Sequence, residues 1–148
     1  MKKKRKIDMY DPQIYPRKLW VAVGPEELDE QFKFYLTDKS GVIENIDEEF
    51  EQEGIAMSTY SVCRKSDGLY GCLVYAPNLE VITDDAIPHE AVHVADYMYE
   101  ELGVHAVESY SQGNENYAYL VGWVAGRISN YLINYTNKEN NNGTDNEI

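Results

Sequence analysis

Two of the three histidines in this chain, His89 and His93, stand four residues apart with Glu90 directly after the first, in "IPHEAVHVADYMYEELG" (Ile87 to Gly103). On a helix, residues four apart share a face, so the two imidazoles project side by side and can meet one ion. Glu90 lies about 100° further round. It cannot be a third ligand in the same plane, but it can reach a water bound to that ion. This is the pattern of a zinc-hydrolase helix: the imidazoles hold the metal and the glutamate serves as general base. A catalytic zinc takes three protein ligands and leaves a fourth position for water.

The third ligand has several candidates. A metzincin needs Gly at position 96 and His at position 99; here stand Asp96 and Tyr99, which excludes that class. A carboxylate further along the chain is the alternative: Glu100, Glu101, Glu108 or Glu115. Glu100 and Glu101 continue the motif helix and cannot easily close a tetrahedron. Glu108 falls in the connector "HAVESYSQG", and Glu115 opens the next helix in "GNENYAYLVGW". Ala118, Gly122 and Gly126 recur every four residues on that helix, a smooth stripe suited to close helix approach that would bring Glu115 toward the histidines. Asp96, three residues after His93, is a candidate to orient a liganding imidazole. A transition-state donor is harder to single out among thirteen tyrosines; Tyr119 is the choice, with His105 as rival.

The elements that must position these groups are readable from punctuation. "RKLWVAV" (Arg17 to Val23) predicts a strand ended by Gly24-Pro25, and "EELDEQFKFYL" a short helix with Leu28, Phe32 and Tyr35 on one face. "ENIDEEFEQEG" (Glu44 to Gly54) reads as a solvated acidic connection. "STYSVC" and "LYGCLVY" flank "RKSDG", a hairpin whose turn residues are Asp67 and Gly68. "LEVIT" (Leu79 to Thr83) predicts a short strand. Asp84 or Asp85 then caps the motif helix, Pro88 sits in its first turn and Gly103 ends it, with Ala91, Ala95, Met98 and Leu102 as its core stripe. The last helix is expected from near Asn114 to Leu132, with Ala118, Val121, Ala125, Ile128 and Leu132 toward the core. The fold class is therefore α+β: a small, mostly antiparallel sheet followed by two packed helices carrying the metal site. A strand before the motif helix, Leu69–Tyr75 or Leu79–Thr83, offers an edge for an extended peptide.

Composition narrows the partners. At 148 residues the chain reads as one domain over 16–134, with a flexible basic tail at 1–15 and a disordered Asn-rich tail at 135–148. A net charge of −13 argues against nucleic-acid backbone binding. No run approaches a membrane span, and the basic start lacks an apolar segment of the export type, so a cytoplasmic location is expected. Cys63 and Cys72 read as reduced thiols.

"HEAVHVADYMYEELG" followed by "GNENYAYLVGW" resembles the small zinc metallopeptidases encoded by bacteriophages and prophages, a gluzincin-like group of the zincin type. The likeness runs from about Trp20 to Ile128. It implies a Zn2+ cofactor, a peptide or protein substrate and a host bacterial cytoplasm as the setting. In gluzincins an Asn-Glu pair like Asn114-Glu115 supplies the third ligand, so the resemblance favours Glu115 over Glu108. Many gluzincins also carry an Asp four residues after that Glu, where this chain has Tyr119. The expected function is a zinc-dependent peptide-bond hydrolase with water activated by Glu90. The alternative is a phage-encoded host-interaction or binding protein with a zinc site and no turnover, and a smaller share falls to hydrolysis of a non-peptide amide.

Overall fold

The computed structural model describes residues 7–24, 27–106 and 113–144, the stretch 138–144 as backbone only. Its elements are β1 (Ile7–Tyr10), β2 (Lys18–Val23), α1 (Leu28–Gln31), β3 (Phe32–Tyr35), β4 (Val42–Ile43), α2 (Ile46–Phe50), β5 (Ser58–Arg64), β6 (Tyr70–Ala76), a 3-10 turn at Leu79–Val81, α3 (Ala86–Leu102) and α4 (Glu115–Thr144). The six strands form one sheet in the order β1-β2-β6-β5-β3-β4. The β2–β6 pair is parallel and the others are antiparallel. The α+β class expected from the sequence is the one observed.

β2 and β6 lie in the middle and are buried on both faces, which accounts for their nearly continuous apolar runs. One face, with Leu19, Val21, Val23, Cys72, Val74 and Ala76, packs under α3 and α4. The other, with Trp20, Ala22, Leu73 and Tyr75, packs on Leu28, Ile46 and Phe50 of the two short helices. Gly71 is required where β6 passes β2: a Cβ there would lie 2.0 Å from the carbonyl oxygen of Lys18.

Several expectations are corrected. The helix expected over 26–36 stops at Gln31 and continues as β3. "FKFY" alternates, burying Phe32 and Phe34 while Lys33 faces out, and pairing with β5 prevails over helix period. The acidic connection at 44–54 holds α2, because Ile46 and Phe50 drop into the core. Asp29 and Asp47 cap each other's helices: Asp47 accepts from the backbone N–H of Leu28 and Asp29, and Asp29 from those of Ile46 and Asp47. In the hairpin turn only Gly68 takes positive φ. "LEVIT" is not a strand, because the Asn78 side chain accepts from the N–H of Glu80 and Val81 and winds a 3-10 turn. Residues 7–10, placed in the flexible tail, form β1. The backbone of α4 runs on through Thr144, past the expected start of the C-terminal tail at 135. None of the described helices is long and apolar enough to cross a membrane.

Candidate functional site

α3 buries Ile87, Ala91, Val94, Ala95, Met98 and Tyr99, a stripe with 3-4 spacing against the sheet and α4. It contains the expected Ala91, Ala95 and Met98. Thr83 Oγ1 accepts from the N–H of Ala86, while Asp85, at the N-cap, makes no side-chain cap bond. At the far end Gly103 takes φ +66, and its N–H and that of Val104 close the last turn on Glu100 and Tyr99.

This register turns His89 and His93 outward together. Their Nε2 atoms are 3.2 Å apart, with ring centroids separated by 4.8 Å and planes at 76°. The His89 side chain is 67% exposed. Glu90 turns the other way, toward β5, and is only 5% exposed. Thr59 Oγ1 donates to Glu90 Oε2 at 2.5 Å, and Glu90 Oε1 lies 4.0 Å from His89 Nε2. The structure thus brings together the two histidines and the glutamate that the sequence singled out.

Among the described residues it gathers no third donor with them. Among the described residues, no group of three or more His, Cys, Asp or Glu side chains is placed to hold a metal ion. Glu115 is exposed in the first turn of α4, its Oε1 3.3 Å from where a Cβ on Gly113 would stand. The small-residue stripe does not pack against α3 either. α4 buries Leu120, Val124, Ile128, Tyr131 and Tyr135, and a Cβ added at Gly122 or Gly126 meets nothing within 4 Å. Of the expected core positions on this helix only Ile128 is fully buried; Val121, Ala125 and Leu132 are half-buried and Ala118 is exposed. Glu115 is seven residues from Gly122 and shares its outward face. Glu108 lies outside the described residues.

The supporting roles also shift. Asp96 accepts from Tyr117 Oη at 2.6 Å, which ties α3 to α4, and no bond from Asp96 to an imidazole is seen among the described residues. Burial, then the bond to Asp96, pushes the Tyr117 phenol well above its ordinary value. Tyr119 is 73% exposed and bonds neither Glu90 nor a histidine; His105 is exposed beyond the end of α3. β6 is not an edge strand, since β2 and β5 flank it, so an extended peptide cannot add to it. Among the described residues both cysteines are free, and burial pushes the Cys72 thiol far up.

Sequence reasoning missed β5 as part of the site. Thr59 and Ser61 point toward α3, each hydroxyl meeting a carboxylate: Glu90 for Thr59 and Glu101 for Ser61. Glu101 is further held by Arg17 Nε at 3.2 Å and Lys39 Nζ at 2.8 Å. The signal was present in "STYSVC", where polar residues occupy alternate positions facing a helix. Compared with family models, curated protein sequences and solved structures, the chain matches none.

Proposed function

We propose that the protein is a zinc-dependent hydrolase of peptide bonds, with the ion on His89 and His93 and Glu90 as general base. One observation carries this reading: the two Nε2 atoms converge to 3.2 Å beside a buried glutamate. Two nitrogens bound to one tetrahedral zinc at about 2.0–2.1 Å stand about 3.3 Å apart, so the pair fits two of the three donors a catalytic zinc takes. A zinc ion there would supply Lewis acidity toward the scissile carbonyl. Glu90 would take the proton of the attacking water at Oε1, 4.0 Å from His89 Nε2, because Oε2 is occupied by Thr59.

For the third donor the candidates remain Glu115 and Glu108. Glu115 is not beside the pair in this structure and would join it only by movement of the first turn of α4. The exposure of His89 favours a second reading, a surface zinc site completed by a binding partner and without turnover.

Metal analysis of the purified protein tests the proposal. About one zinc per chain is expected after dialysis against trace metal. Replacing His89 and His93 together with Ala should abolish it, and undiminished zinc in that double variant would overturn the reading. Of Glu115→Ala and Glu108→Ala, the one that strips the metal identifies the third donor.

A further inference from the structure

We infer that Thr59 is a positioning residue for the base: its hydroxyl holds Glu90 Oε2, so that Oε1 alone is presented to the ion and the attacking water. The inference rests on the reading of Glu90 as base. Its geometric ground is separate, in the asymmetry between two carboxylates held by one strand.

Thr59 and Ser61 are two residues apart on β5 and face the same helix. Glu90 and Glu101 are eleven residues apart on α3, three turns, and so return to nearly the same face. Glu101 is saturated: Ser61, Arg17 and Lys39 all donate to it. A carboxylate with three donors on a half-buried surface is explained by anchoring the end of α3. Glu90 is different. It is more deeply buried, no cation from Lys or Arg meets it among the described residues, and Thr59 is its one hydrogen-bond donor there. A buried carboxylate is costly unless its oxygens are satisfied, and one donor satisfies half of it. Oε1 is left 4.0 Å from His89 Nε2, with no hydrogen-bond donor of its own among the described residues.

The bond has a consequence for the chemistry. Rotation about the last side-chain torsion of a glutamate exchanges its two oxygens, and that torsion is soft. A donor fixed on a central strand of the sheet stops the exchange. As the water oxygen bonds to the scissile carbonyl carbon, its O–H bond would break toward Oε1, which gains the proton and returns it to the leaving amine when the C–N bond breaks, while Thr59 continues to donate to Oε2. A base that is present but misplaced loses much of its effect, so the hydroxyl matters through orientation and not through contact with substrate.

The test uses the full chain and two readouts. In the zinc-loaded protein, Thr59→Val should leave zinc stoichiometry and KM nearly unchanged while lowering kcat about 10- to 100-fold, and Thr59→Ser should restore most of it. In the metal-free protein, the infrared difference between wild type and Glu90→Gln isolates the Glu90 carboxylate bands. Those bands should shift in Thr59→Val, return in Thr59→Ser and stay in place in Ser61→Ala. Thr59→Ala serves in place of the valine variant if the latter does not fold. Unshifted bands in the valine variant, or an unchanged kcat at full zinc occupancy, would overturn the role of Thr59 alone. Bands that shift as expected in a protein with no hydrolysis at all would overturn the hydrolase reading and, with it, the catalytic meaning of the bond.

Discussion

Glu90→Gln separates a hydrolase from a protein that merely binds metal, and its effects can be worked from the structure. Glu90 is 5% exposed and its side chain accepts one bond, from Thr59 Oγ1 at 2.5 Å. Glutamine keeps a carbonyl oxygen for that bond. The exchange of a charge-assisted bond for a neutral one costs about 1 kcal/mol. Removing a buried charge offsets part of this. The net change in stability should therefore lie within about 1 kcal/mol, a shift in Tm of no more than about 4 °C for a chain of this size. Neither imidazole is touched, so zinc content should hold at the wild-type level.

Hydrolysis should respond quite differently. A positioned general base contributes at least about 100-fold. Lost from the rate, that is about 2.7 kcal/mol of barrier. Wild type and variant, matched for zinc by metal analysis, would be incubated with denatured protein and with a diverse peptide pool, and cleavage read by mass spectrometry. Chelation should stop wild-type cleavage and zinc restore it. Cleavage at the full rate in the glutamine variant, with zinc retained, would refute the base role. Loss of zinc from the variant would refute the assignment of Glu90 outside the ligand set.

Three further outcomes follow from the fold. Gly71→Ala should cost at least about 3 kcal/mol in urea unfolding, because the added Cβ would meet the backbone of Lys18 and only separation of β2 from β6 relieves it. Gly122→Ala and Gly126→Ala should each raise stability by up to about 1 kcal/mol, since both sit inside a helix with open space around them; a loss at either would mean this face packs closely after all. Burial first, aided by neighbouring groups, pushes Tyr10, Tyr35 and Tyr99 from the ordinary 10.0 up to about 12. The folded state therefore holds protons that the unfolded chain releases, so stability is full below pH 10 and falls as pH rises toward 12. Tyrosinate absorbance should lag the titration of free tyrosine and then rise together with loss of helical circular dichroism; a curve matching free tyrosine would contradict the burial.

The legible parts of the chain were those where one period acts alone. The motif helix carries a 3-4 stripe, a proline in its first turn and a glycine at its end, and each of these agrees with the structure. The hairpin was marked by strand residues on both sides of Asp67-Gly68. Where two periods compete, the sequence misled. Leu28, Phe32 and Tyr35 fit a helix, yet Phe32 and Phe34 fit a strand, and only pairing with β5 decides between them. In α4 every position from Tyr117 to Gly126 is apolar, aromatic or small, so the stripe could be drawn at Ala118, Val121 and Ala125 as readily as at Leu120, Val124 and Tyr131. The placement of Glu115 depended on that choice. The partnership of Thr59 with Glu90 joins residues 31 apart and needs the sheet to exist first.

The same helix bears on how the proposed third donor would reach the histidines. Turning α4 by half a revolution would carry Glu115 inward, but it would also expose Leu120, Val124, Ile128 and Tyr131, all buried now. At about 1.5–3 kcal/mol for each side chain, that costs about 6–12 kcal/mol. One carboxylate supplies only a share of a metal-binding free energy of about 10–16 kcal/mol, so rotation of the whole helix is a poor route. A local route is shorter. The bond from Tyr117 to Asp96 sets the first turn of α4 beside a point three residues beyond His93, about 4.5 Å along the α3 axis. Gly113 and Asn114, immediately before Glu115, both take left-handed φ, at +78 and +46. Remodelling that turn alone would swing Glu115 while Leu120 and the residues after it keep their packing. On this route the metal would be bound by two preset imidazoles first and by the carboxylate second, and Glu115→Ala would weaken zinc retention without disturbing the fold.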